Sequence, residues 1–215
     1  AAELLGGAVG DAAQALLTHH VSLLESPPTL AAAFALLADA VRPSPAGMAG
    51  DGPCNDQLRP RMLANKVLMT RCLALVPLAL PSCTSAPAAI AMLQFMANLV
   101  SACEQPEQQA AQRALFQAVL PELCASVCQA LAAHENLADP DGGLAAAADF
   151  LLRAAGTLPD DLPGALLAGV RQAQLPACSG DRLRGHVSNR SAYAKLGDWL
   201  EDLQQIVSEL QRESR

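Results

Sequence analysis

The sequence predicts an all-α fold built from antiparallel helix pairs, on three observations. Of 215 residues, 44 are Ala and 36 are Leu, residue types that helices favour. Val, Ile and Thr together number only 18, and aromatics are 3%, which leaves little of the material that strands draw on. Apolar residues recur at three- and four-residue spacing in stretches separated by Pro and Gly, the pattern of successive amphipathic helices. Disorder is excluded by the 52% hydrophobic content and the modest net charge of −7, since a chain of this kind buries enough apolar surface to offset ordering.

The first stretch, about 3–24, carries Leu5, Val9, Leu16 and Leu24 and closes at Pro27-Pro28. Thr29 is the expected N-cap of the next helix, in which Leu30, Phe34, Leu37 and Val41 form one stripe. Residues 42–57, with Pro43, Pro45, Gly47, Gly50, Gly52 and Pro53, predict a flexible loop. Periodicity resumes over 58–80 through Leu58, Met62, Met69, Leu73, Val76 and Leu80, with Pro77 bending or ending the helix.

The stretch 88–102 is apolar almost all round, which predicts a central position. Another helix, 107–132, shows Phe116, Leu120, Leu123, Val127 and Leu131, with a bend at Pro121. After the loop at Asp139-Pro140-Asp141-Gly142-Gly143, shorter helices are predicted at 144–155 and 162–173. Residues 174–190 read as a polar loop. The last helix, 191–213, repeats Tyr193, Leu196, Leu200, Leu203, Val207 and Leu210, a spacing that seals a stack or pairs with a partner helix.

Units of roughly 35–50 residues per helix pair are the range of HEAT-like repeats. The predicted architecture is an α-α superhelix of HEAT-like antiparallel helix pairs, one array over 1–215, with an irregular bundle as the other arrangement of the same helices.

The balance of 14 Lys and Arg against 21 Asp and Glu argues against phosphate-backbone binding and suits a basic partner. Seven cysteines, an odd number without a close-spaced framework, read as reduced thiols of a cytosolic or nuclear protein. No transmembrane stretch is expected, because polar residues or Pro break every apolar run before about 18 residues. The N-terminus lacks the basic start of a signal peptide and an initiator Met, so a fragment of a longer protein is expected.

No cofactor, metal or catalytic group is expected. Cys124 and Cys128 sit one helical turn apart, but a zinc site needs more ligands and a redox pair a shorter spacing. They read as small residues of a core face. His19 and His20 point about 100° apart on a helix and do not make a two-ligand face. His186 stands alone in the predicted loop, and no nucleophile or phosphate-loop motif occurs. Arg59, Arg61, Lys66 and Arg71 form a basic cluster, and Arg182, Arg184 and Arg190 a smaller one. Asp139, Asp141, Asp149, Asp160 and Asp161, opposed only by Arg153, read either as solvated positions and loop caps or as an acidic surface for an Arg-rich partner.

The order of particular segments carries a resemblance. Pro28-Thr29-Leu30-Ala31-Ala32-Ala33-Phe34-Ala35-Leu36-Leu37 runs on to Arg42-Pro43-Ser44-Pro45. Arg71-Cys72-Leu73-Ala74-Leu75 then precedes Ile90-Ala91-Met92-Leu93-Gln94-Phe95-Met96-Ala97-Asn98-Leu99-Val100. Leu162 to Pro176 and Ser191 to Arg215 follow. This succession resembles the C-terminal region of the transportin-SR and importin-thirteen branch of the importin-β superfamily, over roughly 25–215. Where that branch has a Trp-Leu pair, this chain has Leu166-Leu167, and the 46–60 stretch reads as an insertion.

The resemblance implies a HEAT-repeat nuclear transport receptor that shuttles between cytoplasm and nucleus. It implies protein cargo, including Arg-Ser-rich splicing factors. Through the parent receptor it also implies the GTPase Ran and nucleoporins as partners, with no nucleic acid and no membrane. A HEAT- or armadillo-like scaffold for a protein complex is the other reading. An all-helical enzyme or lipid-binding domain would need a polar constellation in an apolar pocket, which the residues do not supply.

Overall fold

The structure, a computed structural model, describes residues 25–43, 53–102, 109–139, 142–193 and 195–213. The helix expected at 3–24, the 44–52 part of the expected loop and Asp141 lie outside the described residues. Within them nine α-helices follow one another and no strand occurs, so the fold is all-α. The helices are α1 (Pro27–Val41), α2 (Pro53–Ala64), α3 (Lys66–Ala79), α4 (Ala86–Ala102), α5 (Gln109–Ala133), α6 (Gly143–Thr157), α7 (Leu162–Gln172), α8 (Ala177–Ser188) and α9 (Leu196–Glu213). Short 3-10 turns cover Leu80–Ser82, Glu135–Leu137 and Arg190–Ala192.

The helices pack in two rows. In one, α1 lies against α4 and α4 against α6; in the other, α3 lies against α5 and α5 against α7. α8 continues onto α7, and α9 packs on α8 and back onto α5. Alanine explains the close approach in the first row. Ala33 and Ala38 of α1, Ala88, Ala89 and Ala97 of α4, and Ala147, Ala148 and Ala154 of α6 are all buried, and small side chains let helix axes come near.

Large side chains fill the space at the helix contacts. Phe34 of α1 meets Phe95 of α4 edge-on, with ring centroids 5.6 Å apart, a favoured aromatic geometry. Phe116 of α5 and Phe150 of α6 lie 6.4 Å apart. As expected from its composition, α4 is central: only Pro87 and Gln94 are exposed along its described face.

Three helix ends are closed by donors from distant helices. The last carbonyls of a helix lack an intrahelical partner. Asn98 Nδ2 donates to Ala38 O at the end of α1 at 2.9 Å. Gln211 Nε2 of α9 donates to Leu131 O at 2.8 Å and His134 O at 3.2 Å, closing α5. Trp199 Nε1 donates to His186 O at 3.3 Å, closing α8. Each bond ties the register of one helix to another.

The end of α7 uses a local solution. Gln174 has φ 56°, the left-handed region that glycine favours. Its N–H donates to Arg171 O and the Leu175 N–H to Val170 O, the paired bonds of a Schellman cap. Gln174→Gly is expected to raise stability by about 0.5–1 kcal/mol, because it removes the left-handed cost at a position already in that conformation. Urea unfolding followed by circular dichroism checks this; an unchanged or lower midpoint counts against it.

Several expectations are corrected. Thr29 is not the N-cap: α1 starts at Pro27, since Pro is suited to the first turn, and the Thr29 hydroxyl pairs with that of Ser26 at 2.8 Å. The loop expected at 42–57 ends early, because Pro53–Ala64 is helical. The helix expected over 58–80 is two, divided at Asn65, whose Oδ1 accepts from the Leu68 N–H at 3.1 Å as an N-cap.

The polar loop expected at 174–190 contains α8. That helix buries little beyond Gly180, Leu183, His186 and Val187, too narrow a stripe to register as periodicity. The final helix starts at Leu196 rather than 191, after the Arg190–Ala192 turn. The expectation that no stretch reaches membrane-spanning length is corrected for Arg113–Ala133, which is long and apolar enough by length and composition. In the fold this segment of α5 packs against α3, α7 and α9, and Leu120, Leu123, Cys124, Val127, Cys128 and Leu131 are buried.

Candidate functional site

The narrow exposed seam of the α1–α4–α6 row collects polar side chains. α4 is closely flanked on both sides, so only its outward strip offers room for them. That strip holds Gln94, which is exposed, and Asn98 and Ser101, which are buried, spaced four and three residues apart. Asp39 and Arg42 stand at the end of α1, and Asp149 and Arg153 on α6. Arg42, Pro43, Gln94, Asn98, Asp149 and Arg153 line a groove of about 320 Å³.

The charges in this groove are paired. Arg42 Nη2 donates to Asp39 Oδ1 at 2.7 Å, and Arg153 Nε to Asp149 Oδ1 at 2.7 Å. Arg153 Nη1 also donates to Ser101 Oγ at 2.7 Å, tying α6 to α4. Both pairs are substantially exposed, and pairs of this kind contribute about 0–1 kcal/mol. A partner's charged side chain therefore displaces them at little cost. The groove offers amide and charged groups for recognising a polar chain segment.

Of the five acids singled out in the sequence, the four that the structure describes do not gather in one place. Asp149 lies in the groove. Asp139 is exposed before α6, and its carbonyl accepts from the N–H groups of Gly142 and Leu144. Asp160 is exposed just beyond the other end of α6. Asp161 accepts from Gln117 Nε2 at 2.7 Å, joining the start of α7 to α5. The 15 residues of α6 span about 22 Å, which separates Asp139 from Asp160 and Asp161.

Four of the described thiols are packing groups. Cys72, Cys83, Cys124 and Cys128 are buried and Cys178 is exposed, all as free thiols. Burial pushes Cys72 and Cys128 up to about 12, and Cys124 also well above the usual thiol range. They stay protonated and unreactive. Among the described residues no three His, Cys, Asp or Glu side chains gather to hold a metal ion.

His186, read from the sequence as a lone loop residue, is instead buried in the last turn of α8. Its ring stacks on Trp199 with centroids 4.6 Å apart and meets Tyr193 edge-on at 5.2 Å. Tyr193 O–H donates to Asp202 Oδ2. That leaves the Tyr193 oxygen to accept from His186 Nδ1–H at 3.0 Å. Burial lowers the His186 pKa against the opposing pull of Asp202, so the ring is neutral at pH 7. His186 Nε2 is buried without a hydrogen-bond partner. The cluster holds α9 onto α8.

Of the basic clusters, Arg59 is buried whereas Arg61, Lys66 and Arg71 are exposed on α2 and α3. Arg182 pairs with Glu209 across α8 and α9, and Arg184 with Asp181 at 3.3 Å. Sequence reasoning missed Asp39, Gln94 and Asn98 as site residues. Their signal was present, since Gln94, Asn98 and Ser101 are the polar residues along an otherwise apolar stretch.

No family model matches the chain, and neither a curated protein nor a solved structure matches it significantly.

Proposed function

We propose that this chain is a HEAT-like helical array that binds protein segments, as the C-terminal part of an importin-β-type nuclear transport receptor. The observation that carries this reading is the packing of the helices in two rows, α1–α4–α6 and α3–α5–α7. Arrays of this kind place successive helices on one extended surface and bind partners along it. The polar groove on the first row supports the reading, as does the order of segments resembling the transportin-SR and importin-thirteen branch. Cargo would be basic, Arg-Ser-rich protein attracted to an acidic chain of net charge −7, and the array itself performs no chemistry. The full cycle, with Ran and nucleoporins in the nucleus and cytoplasm, belongs to the parent receptor.

The test is binding of a labelled (Arg-Ser)4 peptide, read by fluorescence anisotropy across a salt series. Saturable binding that weakens with salt is expected, because contacts between exposed charges are screened. Joint Asp39→Lys and Asp149→Lys substitution is expected to weaken it about ten-fold, or about 1.4 kcal/mol. In the parent receptor, GTP-bound Ran is expected to release the peptide. A stable stoichiometric protein partner indifferent to Ran would favour a HEAT- or armadillo-like scaffold instead.

A further inference from the structure

Where α6 ends, α7 begins and α8 ends, the fold leaves a second groove, of about 440 Å³, within the size range of small-molecule sites. Its walls are mostly apolar: Leu152 and Ala155 of α6, Leu162 and Pro163 in the first turn of α7, and Val187 of α8. Gly156 adds no side chain to the α6 wall, and a Cβ there would meet nothing within 4 Å. The polar groups are Ser188, at the end of α8, and Arg190 and Ser191 of the turn beyond it. The groove shares no wall residue with the one on the α1–α4–α6 row.

Among the described residues Arg190 is the single charged member of these walls. It is half-buried. Its Nη1 donates to Tyr193 O at 2.9 Å, which fixes the side chain and leaves its other N–H groups without a partner among the described residues. No described carboxylate pairs with it. Asp160 is exposed outside the walls, and Asp161 is bonded to Gln117. The hydroxyls of Ser188 and Ser191 also have no partner among the described residues.

A cation at an apolar wall is costly unless an opposite charge meets it. One cation balances one negative charge, and a guanidinium matches a carboxylate through two parallel N–H bonds. A phosphate dianion would bring a second charge for which the walls hold no second cation. The apolar walls suit an apolar tail on the same molecule.

We propose that this groove is a binding site for a small monocarboxylate with an apolar tail. The carboxylate meets Arg190, with Ser188 and Ser191 donating beside it, and the tail lies along Leu152, Ala155, Leu162 and Val187. The inference goes beyond the receptor reading and does not rest on it.

The probe is sodium hexanoate, titrated at millimolar concentration into the 15N-labelled chain. Saturable shifts are expected for the amides of residues 156, 187, 188, 190 and 191. Acetate, which lacks the tail, and hexanol, which lacks the charge, are each expected to bind about ten-fold more weakly or worse. Hexylamine, protonated at neutral pH, is expected to shift none of these amides. Arg190→Gln is expected to weaken hexanoate binding by about ten-fold. That variant also removes the bond to Tyr193 O, so Gly156→Leu, which breaks no side-chain bond, is the deciding one. It fills the groove with a better helix former and is expected to abolish binding with the helical circular dichroism unchanged.

Absence of saturable shifts, shifts confined to other residues, equal shifts with hexanol or hexylamine, or unaltered binding by Gly156→Leu would overturn the assignment. These readouts use neither Ran nor the (Arg-Ser)4 peptide. Loss of the receptor reading would therefore show in the anisotropy assay, and loss of the groove in the amide shifts.

Discussion

Replacing Trp199 by Ala is expected to be among the most destabilising single changes in the described chain, at about 3–5 kcal/mol. Trp199 is the single Trp of the sequence and is fully buried. Its removal leaves a cavity against the stacked His186 ring and takes the donor from His186 O at the end of α8. Both losses fall on the junction of α8 and α9, where Leu203, Ile206, Val207 and Leu210 complete the buried face of α9. For a chain of this size the fall in Tm is about 6–20 °C, read by thermal unfolding. Trp199→Phe separates the two contributions, since it keeps much of the packing and loses only the N–H bond, about 1–2 kcal/mol. A Tm shift under 2 °C for the Ala variant would show that α9 is held by something else.

The second large effect is expected at Gly169. A Cβ there would stand 2.7 Å from Ala125 N and 2.9 Å from the Cys124 carbonyl carbon. Both are backbone atoms of α5, so no side-chain rotation relieves the clash. α7 meets α5 here through bare backbone, and any larger residue forces the two helices apart. Gly169→Leu is expected to cost about 2–3 kcal/mol, in the range of overpacked cores, measured by urea denaturation. Because α7 also carries α8, through Gly180 against Val170, the displacement should reduce Trp199 burial and shift its fluorescence to longer wavelength. Wild-type stability with an unshifted emission would mean that the α5–α7 approach is not fixed by this glycine.

The two positions differ in how far sequence announces them. Trp199 lies beside the most regular apolar repeat of the chain, so the sequence announces a buried helix face in its neighbourhood, but the structure buries Trp199 and leaves Leu196 of the repeat exposed. Gly169 lies in a short helix of ordinary composition, and nothing local marks it as a contact point. Only the packing of α7 on α5 gives it meaning. The candidate grooves divide in the same way. Gln94, Asn98 and Ser101 stand out as a polar seam in an apolar helix. Their neighbours Arg42, Asp149 and Arg153 come from segments far along the chain and join them only when α1 and α6 close on α4.

What the sequence determined by itself is the all-α class, the central place of the 88–102 stretch and the presence of an apolar face on the last helix, which the tertiary structure shifts from Leu196 onto Trp199 and Ile206. These depend on residue type and on a period of three to four, which act locally. It did not determine α8, because a helix stabilised by docking can carry too few apolar residues to show a period. Nor did it determine that Asp139 and Asp160 flank opposite ends of α6, that His186 is buried under Trp199, or which donors close the helix ends. Those outcomes depend on which helices become neighbours, and neighbours are chosen by the burial of whole faces at long range rather than by any residue's own preference.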